Sequence, residues 1–340
     1  MHLLTLVAQK IKPLVSDGAI RTGDTFHRFI WASSGMHQLY VGAVAICVTL
    51  LNFVPIELQR RIIDVAVANR DVRTLLLLGA LYLSVLILYS GVKYVLMIYQ
   101  GWVGESAVKS ARDQLAVVAA GKLGHAEATG GQTANVIGNE IDGIGGFVGT
   151  SISGFVVNAS MMIVVFSYMV YVQSTIAFFS AITLIPQFVI VRYLQRRLNA
   201  LVERQVKLVR KLGDQAVDTS SSAPEMLHAA SQTIATIFKN RMEAYLLKFG
   251  LKTLLNIANS LGSLAVLIVG GYLVIKGQTT IGTVVAFISG FQRLSDPMGD
   301  ILDFYRTYSQ TKIQYAMILE WVGGTGGLAD QGEMPLLAKQ

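Results

Sequence analysis

Many apolar residues in this chain gather in long runs. Six runs are long enough to cross roughly 30 Å of hydrocarbon, which takes about 20 helical residues. They cover 38–58, 74–101, 147–171, 174–191, 254–275 and 281–304, and the gaps between them alternate between short and long. Within the long gaps, "ESAVKSARDQLAVVAAGKL" (105–123) and "RYLQRRLNALVERQVKLVRKLGDQAVD" (192–218) are rich in good helix formers. Both keep apolar residues at helical spacing. The pattern predicts an all-α integral membrane protein with six transmembrane helices, some extended into water as two long helical hairpins. Turn-forming residues in "HAEATGGQTANVIGN" (125–139) and "TSSSAPEML" (219–227) mark the hairpin tips.

Composition agrees. The chain has 340 residues, 53% of them hydrophobic and only 14% charged, where soluble domains carry roughly a quarter charged residues. A net charge of +7 would suit nucleic acid, but its distribution points to topology instead. Most of the 28 lysines and arginines lie in the N-terminal segment, the two long gaps and the tail. The positive-inside rule then puts the N-terminus and both hairpins in the cytoplasm, and no nucleic-acid partner is expected. One stretch opposes this: "ELQRRIIDVAVANRDVRT" (57–74) carries four arginines and faces outside, offset by three acids. Residues 1–37 precede the membrane. "TFHRFIW" (25–31) suits a short interfacial helix or an ordinary aromatic-belt flank, and both readings stand. Residues 38–322 form the membrane domain, and "GGTGGLADQGEMPLLAKQ" (323–340) reads as a flexible tail or linker.

Little else in the chain carries chemistry. Cys47 is the single cysteine and the five histidines are scattered, so neither a disulfide nor a metal site is expected. "GIGGFVG" (143–149) falls short of a dinucleotide fingerprint and precedes a membrane run. Its Gly145-x-x-x-Gly149 spacing would allow close helix contact, or is a chance occurrence. The charges of the last run are harder to dismiss. Arg293, Asp296, Asp300, Asp303 and Arg306 recur at steps of three and four, on one face of a continuous helix. Ionisable groups at membrane depth cost a few kcal/mol unless they face a bundle interior or water, so this face does not meet lipid. Two readings remain. Either it lines a central cavity and offers acceptors to a cationic or polar substrate, or Arg293–Asp296 and Asp303–Arg306 pair along the helix and the rest is solvated. Lys93, Asn158 and Gln187 are further pathway candidates. Against that role stand snorkelling for Lys93 and bonding between helices for Asn158 and Gln187. Pro186 is expected to bend the fourth run.

Six runs, two long hairpins and minimal outer loops resemble the transmembrane domain of ABC exporters. The sequence likeness is best in "GGYLVIKGQTTIGTVVAFISGFQRLSDPM" (270–298), where "KGQTT" makes a tight outer hairpin with Gly277 and Gly282 at the bend. "PIELQRRIIDVAV" (55–67), notably Ile63 and Asp64, is also similar. At the first tip, "GGQTANVIGNEID" (130–142) resembles the family's first coupling helix, with Gly131, Gln132, Asn139 and Glu140 in register. Val136 stands where the family usually has Arg, and Glu140 replaces the commoner Asp. The second tip lacks the usual Glu, Gly-Ile and Lys. Pro224, Glu225, Met226 and His228 there either contact an ATPase or form a solvated helix cap.

The resemblance implies a dimer of two such domains coupled to two nucleotide-binding domains, in a membrane of the bacterial inner type. No Gly-x-x-x-x-Gly-Lys-Ser/Thr stretch cradles phosphate here. ATP and Mg are therefore expected on a fused or separate nucleotide-binding partner, and the chain alone is expected not to be an enzyme. The alternative functions are an ion-coupled secondary carrier using the aspartates of the last run, and a non-transporting scaffold.

Overall fold

The computed structural model describes residues 11–14, 25–123, 138, 140–217 and 223–323. Among these residues there is no strand. The elements are α1 (Phe26–Ser34), α2 (His37–Arg61), α3 (Val72–Leu123), α4 (Ile141–Gly146), α5 (Ile152–Val172), α6 (Ser174–Val217), α7 (Ala223–Ile275), α8 (Ile281–Gln292) and α9 (Ser295–Gly323). Short π-helical turns, Ile62–Val67 and Phe147–Ser151, follow α2 and precede α5. Among the described residues, four stretches are long and apolar enough to cross a membrane: His37–Val67, Val72–Ala120, Ile141–Val172 and Pro224–Ile275. The fourth and sixth expected spans appear as shorter apolar helices, Ser174–Thr183 and Ile281–Gln292. The first of these continues without a break, through Pro186, into the rest of α6. At 1.5 Å per residue, the 52 residues of α3 and the 53 of α7 run to about 80 Å each. That exceeds any bilayer core.

The expected outer loop at 57–74 is mostly helix. Nothing in 57–67 breaks one, and Glu57 pairs with Arg60 and Arg61 at helical spacing. The chain leaves the helix only after Val67. Arg70, at φ +54°, closes that end: its amide reaches Val67 O and the Asp71 amide reaches Ala66 O. A left-handed residue with a Cβ is strained by about 1 kcal/mol. Arg70→Gly should therefore stabilise the chain by up to about 1 kcal/mol in thermal unfolding, less the added freedom of the unfolded glycine. Asp71 then caps α3, accepting from the amides of Arg73 and Thr74. The Thr74 hydroxyl, followed by the Thr74 amide, holds its carboxyl below the usual range. The cap is therefore complete above the ordinary carboxylate pKa, and is lost as pH falls through the lowered one.

The described residues fall into two compact units. One comprises those within 1–39, 99–150 and 308–340. In it α1 is a helix whose Phe26 and Phe29 are buried, with ring contacts to Phe147, Tyr308 and Tyr315. Trp31 on the opposite face is exposed. The middle of α3 packs antiparallel to α4 and the π-helical turn that follows it, through glycines: a Cβ on Gly149 would lie 2.5 Å from Gln100 O and 2.8 Å from Gly104 Cα. The Gly145-x-x-x-Gly149 spacing is thus a backbone-to-backbone seam and no accident.

The second unit comprises residues within 40–98 and 151–307. Its core brings Ile56 of α2, Val165 of α5, Ile176 of α6, Val266 of α7 and Phe287 and Phe291 of α8 into one cluster. In lipid, such contacts are held by close packing rather than by release of water. Gly262 makes room for the Phe291 ring, whose Cε1 would lie 2.0 Å from an added Cβ. The α6–α7 pair forms a second long antiparallel hairpin, with Leu251 and Leu255 buried against Ile190 and Leu194. The bend between α7 and α8 is closed by Gly277 at φ +70°, with amide bonds from Gly277 to Val274 O and from Gln278 to Leu273 O.

Candidate functional site

The charged end of the last run does not form the single helical face expected of it. The helix stops after Gln292, turns at Arg293 and Leu294, and restarts at Ser295. Pro297 explains the interruption. It has no amide to bond the carbonyl four residues back, which is that of Arg293, but it is tolerated in the first turn of the new helix. Arg293 therefore belongs to a turn. Asp300, Asp303 and Arg306 remain on α9, and the Asp296 side chain lies outside the described residues.

The expected pairing is half right. Asp303 and Arg306 do pair, at 3.2 Å. Arg293 instead reaches across to α2, its Nη1 donating to the Asn52 carbonyl and to Asn52 Oδ1, both at 2.6 Å. That contact sits three residues before Pro55, which disrupts the hydrogen-bond ladder of α2. A cation in the turn between α8 and α9 thus meets α2 close to its internal proline. Asp300 is exposed and accepts from Asn158 Nδ2 at 3.2 Å. One turn away Phe155 and Phe304 lie 4.7 Å apart, with Tyr305 beside both. Two pathway candidates, Asn158 and Asp300, are therefore brought together. Lys93 is exposed on α3, its Nζ 5.7 Å from the centre of the Tyr89 ring. The Gln187 side chain lies outside the described residues.

At the first hairpin tip, Gly131, Gln132 and Asn139 lie outside the described residues, while Glu140 is buried. Just beyond the tip, Arg112 of α3 donates to Asp142 Oδ1 at 2.7 Å and to Gly138 O at 3.2 Å. Both partners of this ion pair are well exposed, so Arg112→Ala should cost less than about 1 kcal/mol in a thermal melt. At the second tip Pro224, Glu225 and His228 are exposed and Met226 is half-buried. His228 Nε2 meets Gln232 Nε2 at 3.0 Å.

The structure also joins two stretches that the sequence left apart. Asp64, in the π-helical turn after α2, accepts from the Thr280 hydroxyl at 2.7 Å and from the Gly282 amide at 2.9 Å. Its carboxylate thus sits at the N-terminus of α8, where first-turn amides are unpaired and negative charge is favoured. Thr280 caps the same helix by accepting from the Thr283 amide at 3.2 Å. Gly282, expected at the bend, lies inside the first turn of α8 and serves close approach: an added Cβ would lie 2.5 Å from Asp64 Oδ1 and 2.6 Å from Arg60 O. Two turns before Asp64, Glu57 binds Arg60 and Arg61 and accepts from the Tyr168 hydroxyl at 2.8 Å. Neither Asn52 nor Tyr168 was singled out in the sequence. Asn52 carried one usable signal, as an amide in an apolar run three residues before a proline.

Compared with known proteins, residues 39–298 match the family described as ABC transporter transmembrane region. The match takes in α2 through α8 and the start of α9, including Asp64, Thr280, Gly282 and Arg293. No curated protein matches the chain.

Proposed function

This chain belongs to the family of ABC transporter transmembrane regions, and we propose that it forms the substrate pathway of an ATP-driven exporter. It is a multi-pass integral membrane protein. In this reading it pairs with a second transmembrane domain, a copy or a relative, in a membrane of the bacterial inner type. Both hairpins point into the cytoplasm, where nucleotide-binding domains carry ATP and Mg and do the hydrolysis. The chain itself is not the enzyme.

The observation that carries the proposal is helix length. α3 and α7 each run about 80 Å, against roughly 30 Å of hydrocarbon. Transport through a bilayer does not need such extensions, whereas a lever reaching ATPase domains in water does. ATP-driven closure of those domains would move the tips, including Glu140 and the 224–228 segment, and switch the pathway between its two faces. Substrate can drive such a switch only by binding the two states differently. Asp300 and its partner Asn158 are the polar groups placed to sense it, with Asp296 on the same helix.

The test begins with the intact native protein, purified in mild detergent and assayed for ATPase activity. A nucleotide-binding domain, fused or co-purifying, is the expected result. Its absence, with transport that collapses on dissipating the proton gradient, would replace this reading with the ion-coupled carrier. Asn at both Asp296 and Asp300 is then expected to shift the half-maximal substrate concentration for ATPase stimulation by about tenfold. Unchanged stimulation in a well-folded double variant would remove the substrate role.

A further inference from the structure

The α6–α7 hairpin has a feature that its stability does not explain. A series of positions at alternating steps of four and three runs along α6 from Leu194 to Gln215, none of them exposed. It is leucine throughout except at Gln205 and Gln215. The facing series on α7 runs from Ala230 to Leu251, again with no exposed member, and its polar members are Thr233 and Asn240. Alternating steps of three and four are the signature of a coiled coil. The polar members meet one another. Asn240 Nδ2 donates to Gln205 Oε1 at 3.1 Å and to Leu201 O at 2.9 Å, and Thr233 Oγ1 donates to Gln215 Oε1 at 2.9 Å. Asn240 is 3% exposed and Thr233 5%.

These layers are poor stabilisers. Asn240 Oδ1 and Gln205 Nε2 are buried without a partner, and an unmatched buried donor or acceptor costs free energy that a leucine pair would not. What they supply is uniqueness. A seam of leucine on one helix, facing alanine, isoleucine and leucine on the other, packs nearly as well after sliding by one heptad. Such a slip sets Thr233 against Gln205 and drives Asn240 into Leu198, where its amide finds no side-chain partner. We propose that the Gln205–Asn240 and Gln215–Thr233 layers are register-fixing residues that keep α6 and α7 from sliding past one another. Building on the lever reading above, this makes them positioning residues for energy coupling: a hairpin that slips absorbs the push of an ATPase without transmitting it.

The test uses the full chain with Cys47→Ser and two cysteine pairs. Leu208→Cys with Ile237→Cys is opposed in the observed register, whereas Leu201→Cys with Ile237→Cys is opposed only after a one-heptad slip. In the parent, oxidation should link the first pair and leave the second at background. Adding Gln205→Leu and Asn240→Leu should raise the second cross-link at least about fivefold while the melting temperature stays level or rises. A second cross-link that stays at background, or a melting temperature that falls, would overturn the proposal and leave these residues as ordinary structural contacts. The ATPase rate of the intact complex separates the two claims. If the register slips and the rate drops several-fold, both hold. If the register slips and the rate is unchanged, the lever reading fails and the register assignment stands.

Discussion

Replacing Gly149 with leucine is expected to destabilise the chain by about 3 kcal/mol or more, the upper end of what overpacking costs. The reason lies in what surrounds the added atoms. A Cβ there would lie 2.5 Å from Gln100 O, 2.8 Å from Gly104 Cα and 3.0 Å from Gly104 N. All three are backbone atoms of α3, so no side-chain rotation relieves the clash and the helices must separate. Separation also undoes the facing contact, since Gly104 needs the same closeness to Gly145, whose carbonyl oxygen would lie 2.9 Å from its own added Cβ. Gly146→Ala is the control, with open space around its Cβ and an expected effect near zero. Thermal unfolding in detergent reads both. Equal melting temperatures for Gly149→Leu and Gly146→Ala would mean that the close approach of α3 to this segment is not maintained.

Gly282→Val is expected to cost about 2–3 kcal/mol and Asp64→Ala about 1–2 kcal/mol. The valine Cβ would press on Asp64 Oδ1 and on Arg60 O, forcing α8 away from the end of α2 and breaking the bond from the Gly282 amide to the carboxylate. The alanine leaves that geometry unstrained but removes the acceptor from the Gly282 amide and the Thr280 hydroxyl. Its cost is the smaller because Thr280 is exposed and water replaces part of the lost bond. The two effects share one contact, so the double variant should cost clearly less than their sum. Additive costs would show that Asp64 and Gly282 act separately. Alternating access adds a functional readout. Contacts that tie α2 to α8 bias the states in which those ends stay together, so Asp64→Ala is also expected to raise basal ATPase activity of the complex.

Much of the architecture was legible in the chain. Runs of apolar residues about 20 long can be satisfied in hydrocarbon only by helices or a closed barrel, and uninterrupted helix formers in the long gaps leave those helices no reason to stop at the membrane surface. Glu57, Arg60 and Arg61 pair at helical spacing and carry α2 beyond its apolar run, into a stretch expected to be an outer loop. Pro297 was equally visible, but the three-and-four spacing alone keeps Arg293 on the same face as Asp300, and only the break before Pro297 takes it off that face. The pairing of Asp303 with Arg306 was readable because it is local. That of Arg293 with Asn52 was not, because spacing along a chain says nothing about which distant carbonyl lies nearest.

The sequence by itself determined the helical class, the apolar cores of the helices, the long helical extensions beyond them and the kinship with ABC transporter membrane regions. These follow from periodicity, propensity and motif, each set by residues within a turn or two of one another. Only the tertiary structure decided that Gly145 and Gly149 form a seam, that Asp64 closes the N-terminus of α8, that Asn158 meets Asp300, and that two polar layers interrupt a leucine seam between α6 and α7. Each of those depends on register between segments far apart in sequence. Register is fixed by the sum of many small packing and hydrogen-bond terms, and no single stretch of the chain contains that sum.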